Sequence, residues 1–135
     1  MNRSMTAGDR PREPDPDLIR FSFRFLEPTH PRFDIGRCEP PYFRLLLSRL
    51  RDISGLQVRE FVSSRSHSLR IHRIDFGDRR VAVRGFGIPG QTEVDRKGWQ
   101  FSLSANEHGR VHGFLVENVF FIRWLDPDHN LYAGS

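Results

Sequence analysis

The chain has 135 residues, 37% of them hydrophobic and 28% charged, with 21 Lys plus Arg against 17 Asp plus Glu for a formal net charge of +4. That length suits one domain burying roughly two thirds of its unfolded surface without a metal or disulfide, and the lone cysteine, Cys38, excludes an intrachain bridge. No run approaches the roughly 18 apolar residues of a bilayer-spanning helix, and the opening MNRSMTAGDRPREPDPD has no apolar stretch for a secretory signal. The expected setting is a reducing cytoplasm, with no membrane partner.

Residues 1 to 17 hold three arginines against four acids, a charge of −1, so the rest of the chain carries +5. Three prolines among charged and small residues mark this stretch as a disordered tail, leaving residues 18 to 135 as one domain. Lys97 is the only lysine among 21 basic residues. Arginine's planar fork suits phosphate, so the basicity permits a nucleic-acid partner, although GC-rich codon usage explains it equally well.

In LIRFSFRFLE, Phe21, Phe23 and Phe25 alternate with polar residues, the period of a half-buried strand. Four prolines and Gly36 then make PTHPRFDIGRCEPP a loop. Phe43, Leu46, Leu47, Leu50 and Ile53 follow helical spacing after Pro40 and Pro41, with Gly55 as the expected left-handed stop. QVREFVSS predicts a second, short helix, and residues 69–76 a strand. Residues 77–98 are expected to form a long loop, with a short strand at 81–86.

The last third predicts a three-stranded antiparallel meander: WQFSLS, a turn at ANEHG, RVHGFLV, a two-residue connection at Glu117-Asn118, and VFFIRWL as a strand covered on both faces. The fold class is therefore α+β, with a mostly antiparallel sheet whose C-terminal meander packs against one or two helices.

On RVHGFLV, Arg110, His112 and Phe114 share one face, and Val111, Gly113 and Leu115 the other. Three readings compete for Arg110, His112 and the neighbouring His108. They form a phosphate-binding and proton-transferring cluster, or they are the solvated face of a hairpin, or the two histidines join His72, His129, Asp126 and Asp128 as metal ligands. No pair has a compelling ligand spacing, so neither metal nor cofactor is expected. Cys38, in a proline-flanked loop, reads as inert. Phe114 and Trp124 read as core residues or as base-stacking rings. Six arginines from Arg65 to Arg84, including Arg70 and Arg73, form either a phosphate-tracking surface or a solvated edge. Past the final strand, His129 and Tyr132 in DPDHNLY offer a proton donor and a stacking ring, or Leu131 and Tyr132 pin the C-terminus to the sheet.

WQFSLS, GRVHGFLV, VFFIRWL and the HNLY ending, taken with the leading strand and helices, resemble the RelE/ParE-like toxins of bacterial toxin–antitoxin pairs. For RelE-like members the resemblance implies a metal-independent endoribonuclease acting on mRNA, commonly at the ribosome. Arg110 would bind the scissile phosphate, with His112, His129 and Tyr132 completing the catalytic set and Arg123, Arg70, Arg73 and His108 contacting nucleic acid. ParE-like members share the fold and act on gyrase. The alternative is a non-enzymatic module that engages nucleic acid or a protein, with an antitoxin, gyrase or a phage-defence component as the candidate partners. If Arg110 is a surface residue, Arg110→Ala should abolish cleavage and leave folding nearly intact.

Overall fold

A computed structural model describes residues 15–104 and 109–132. Strand β1 (Arg20–Ser22) leads into helices α1 (Pro40–Ile53) and α2 (Val58–Val62); strands β2 (His72–Arg73), β3 (Gly98–Ser102), β4 (Arg110–Val116) and β5 (Val119–Asp126) follow. They form one five-stranded sheet in the order β1-β5-β4-β3-β2. The fold is α+β, and the sheet is mixed: β1 runs parallel to β5, while the other three pairings are antiparallel. The meander forms as the alternation predicts. No described helix is long and apolar enough to cross a membrane.

α1 starts on its two prolines, where the missing N–H groups would have had no intrahelical acceptor. It turns Tyr42, Leu46, Leu50 and Ile53 inward, onto a core with Phe61 of α2 and Val111, Phe101, Phe120 and Ile122 of the sheet. Gly55 does not adopt a left-handed conformation. Instead the chain leaves α1 through tight turns, with Gly55 N–H donating to the Asp52 carbonyl at 3.2 Å and Leu56 N–H to that of Ile53 at 2.9 Å. α2 is held by a reciprocal cap between Gln57 and Glu60.

The Asp17 carbonyl accepts from Val58 N–H at 2.8 Å, and residues 1–14, most of the expected tail, lie outside the described residues. β1 stops at Ser22 because Phe23 turns out to solvent, 51% exposed. β2 keeps two residues of the predicted eight, and no strand forms at 81–86, where Val81 makes only an isolated bridge to Tyr132.

The larger departure is the opposite face of the sheet. The expected loops, with the end of the strand expected at 69–76, cover it: Phe33, Ile74, Phe76, Val81, Phe86, Ile88 and Val94 close over Phe114, Trp124 and Leu131 as a second core. Phe33 stacks on Trp124 with ring centroids 4.6 Å apart, and Phe86 meets Phe114 at 5.4 Å. Phe114 and Trp124 are thus core residues, and neither offers a ring to a ligand.

A bulge divides the two cores. His112 pairs with Trp124 but Gly113 pairs with Ile122, so Arg123 is the extra residue on β5. The insertion lets Ile122 face the helices and Trp124 face the second core, two residues apart in a strand that would otherwise point both the same way.

Candidate functional site

The predicted alternation of β4 holds, but the face bearing Arg110 and His112 is not wet. His112 is fully buried and Arg110 is 5% exposed, because the second core covers that side of the sheet. The solvated-hairpin reading is therefore overturned for both residues. His108 lies outside the described residues.

His112 Nε2 lies 2.7 Å from Asp126 Oδ2, with both side chains fully buried. The same carboxylate accepts from the backbone N–H of Asn130 at 2.8 Å and of Leu131 at 3.1 Å. Burial alone would push the Asp126 carboxyl up. The hydrogen bond and proximity of His112, with the two backbone donors, outweigh burial and hold it below its ordinary value. His112 Nδ1 is buried without a hydrogen-bond partner, against the rings of Phe33 and Trp124. The imidazole therefore supports Asp126, which in turn holds the turn carrying His129 and Tyr132.

That turn presents the two remaining members of the predicted catalytic set. His129 takes a left-handed φ of 56°, and its ring is 6.0 Å from that of Tyr132. Burial first, and then the charge of Asp78, raise the Tyr132 hydroxyl above its ordinary value, so it stays protonated at neutral pH. Tyr132 also bridges Val81, which joins the expected role of pinning the terminus to an accessible ring.

Burial, and next the nearby charge of Arg70, press the Arg110 guanidinium below its ordinary value. Arg110 also lies next to Asp126 in the β4–β5 register, and the Arg110 carbonyl accepts from the Tyr42 hydroxyl at 2.8 Å. Tyr42 was not among the residues singled out by sequence, which put Phe43 on the apolar stripe of α1 in its place. Tyr42→Phe should lower stability by about 1 kcal/mol in urea denaturation, the net worth of one buried hydrogen bond. Arg110→Ala, in turn, removes a buried side chain, so the expectation of nearly intact folding does not hold for it.

Arg123, proposed from sequence as a nucleic-acid contact, is tied inside the fold. It donates to the carbonyls of Phe86 and Phe25 at 3.0 Å each and lies 3.4 Å from Glu27, whose carboxylate also accepts from Trp124 Nε1. Arg70 and Arg73 are exposed. Arg73 lies over the Trp99 ring, 5.5 Å from its centroid, and donates to the Arg96 carbonyl. Arg49 donates to the carbonyls of Ser68 and Leu103, fastening α1 to the segment that carries Arg70.

Cys38 is a poor nucleophile: burial, followed by the charges of Asp128, Asp126 and Asp34, pushes its thiol up to about 11. Among the described residues no three His, Cys, Asp or Glu side chains gather closely enough to hold a metal ion. Comparison with family models, curated proteins and solved structures finds no match for this chain.

Proposed function

We propose that the protein binds RNA through the arginine-bearing edge of its sheet. The observation that carries this reading is the charge of the segment from residue 63 to residue 74, which contains Arg65, Arg70 and Arg73 with His67 and His72 and no acid at all. Its arginines are exposed, Arg70 lies within electrostatic reach of Arg110, and Arg96 and Lys97 extend the basic surface beside Arg73. Guanidinium groups gathered on one edge match the spaced phosphates of a nucleic-acid strand.

Titration of a labelled single-stranded RNA, followed by fluorescence anisotropy over a salt series, tests the reading. Wild type should lose affinity steeply with salt. Arg70→Ala, an exposed substitution, should weaken binding several-fold and lower the salt slope by about one contact. Salt-independent affinity, or an Arg70→Ala variant indistinguishable from wild type, would refute it.

The second reading, toxin-like endoribonuclease action without a metal, is favoured by the His129–Tyr132 pair on a turn held by a buried carboxylate. Here a 2′-hydroxyl attacks the adjacent phosphate to form a 2′,3′-cyclic phosphate as the P–O5′ bond breaks; His129 takes the hydroxyl proton, the departing 5′-oxygen is protonated from solvent, and Tyr132, kept protonated, donates a hydrogen bond to the phosphate or stacks on a base. His112 acts only through Asp126, and Arg110 contributes charge from beneath. Cleavage of a reporter message in a cell-free system, mapped by new RNA 5′ ends, should then disappear in His129→Ala. Intact message in the presence of wild-type protein leaves RNA binding without cleavage.

A further inference from the structure

A surface cleft of about 510 Å³ opens beside edge strand β2, lined by Arg73, Ile74, Asp75, Phe76, Asp95 and Arg96. These residues combine three kinds of chemistry. Ile74 and Phe76 are core side chains, 5% and 9% exposed, and their remaining surface makes an apolar wall. The two carboxylates are oriented by backbone donors: Asp75 Oδ1 accepts from Gly77 N–H at 2.9 Å, and Asp95 Oδ1 from Phe86 N–H at 2.9 Å. The second oxygen of Asp75 is bonded to no donor among the described residues, while Asp95 Oδ2 packs against Gly85, where an added Cβ would meet it at 2.4 Å. Arg73 is held in place by the Trp99 ring beneath it and by the Arg96 carbonyl, and Arg96 and Lys97 are exposed next to it.

A flat apolar ligand with N–H donors on its edge and an anionic group attached would meet all three features. We propose that this cleft is a nucleobase pocket for single-stranded RNA. The base lies against Ile74 and Phe76, its exocyclic amine donates to the Asp75 and Asp95 carboxylates, and its phosphates lie on Arg73 and Arg96. This rests on the RNA-binding reading above and adds to it a selection among bases. Adenine and cytosine carry an amine where uracil carries only a carbonyl, so a carboxylate there favours the first two.

Short labelled oligoadenylate, oligocytidylate and oligouridylate, titrated by fluorescence anisotropy at one fixed salt concentration, provide the test. Wild type should bind the adenylate and cytidylate roughly tenfold more tightly than the uridylate. Asp75→Asn is the discriminating variant: its side-chain oxygen can keep the Gly77 bond, while an amide donor replaces the acceptor that faced the amine. The preference should then fall to about twofold or less, with circular dichroism unchanged because Asp75 is an exposed residue. Arg96→Ala should weaken all three ligands alike, since it removes a phosphate contact. Equal wild-type affinity for the three oligonucleotides, or a preference that survives in Asp75→Asn, overturns the pocket and leaves the RNA-binding reading standing. Failure of wild type to bind any of the three overturns both.

Discussion

Gly113→Ala should lower the stability of the protein by about 3 kcal/mol or more, or prevent folding altogether. A methyl group at residue 113 would meet the Phe121 carbonyl oxygen at 2.1 Å and Phe120 Cε1 at 2.6 Å. The first is backbone of a neighbouring internal strand, which cannot withdraw without breaking the β4–β5 ladder. The second belongs to a fully buried ring that touches Phe21, Phe61 and Phe101. Gly113 is required here for close approach at a bulge, since its φ is not positive. Urea denaturation of the purified variant measures the effect. A midpoint within about 0.5 kcal/mol of wild type, the range of an ordinary surface substitution, would show that the bulge tolerates a side chain.

The bulge also marks where the sequence pattern stops being readable. In WQFSLS and RVHGFLV the apolar positions alternate with polar or small ones, and the strands lie where period two places them. VFFIRWL is apolar almost throughout, which signals coverage on both faces but not the extra residue that lets Ile122 and Trp124 point opposite ways. Helix α1 was legible from its bounds and from Leu46, Leu50 and Ile53, but Phe43 and Leu47, read into the same stripe, face solvent and Tyr42 is buried. The second core was not legible, because Phe33, Phe86 and Ile88 stand among glycines, prolines and charges with no period to connect them. Loop composition hid residues that bury as deeply as any strand.

The same cover decides the environment of the site. Alternation correctly put Arg110 and His112 on one face of β4, and only the missing cover made that face appear solvated. Arg123 likewise was assigned to nucleic acid only through the RelE-like resemblance. Its actual partners, two backbone carbonyls and Glu27, come from segments about 37 to 98 residues away and leave no local trace. Arg70 and Arg73 remain exposed, as their place on a short edge strand and its approach would suggest. Exposed arginines thus stand on β2 and its approach, as they do elsewhere on the surface, while Arg110 and Arg123 within the sheet brace the fold.

The buried His112–Asp126 pair gives the second large expectation. Asp126→Ala should cost about 3–5 kcal/mol, because it leaves His112 without a partner in a dry interior and removes the acceptor of two backbone N–H groups. His112→Leu should restore part of that loss in the Asp126→Ala background, since an apolar side chain needs no partner against Phe33 and Trp124. The sign with pH follows from the lowered Asp126 carboxyl. Its contribution is fully present above the ordinary carboxylate range and is lost as pH falls through the folded-state value, so wild type and Asp126→Ala should converge in stability on acidification. Hydrogen exchange gives a local check, in which the Asn130 and Leu131 amides lose protection in the variant beyond the loss expected from global stability. If those amides exchange as in wild type and the urea midpoint is unchanged, the carboxylate does not hold the turn. His129 and Tyr132 would then owe their position to the packing of Leu131 and the Val81 bridge alone.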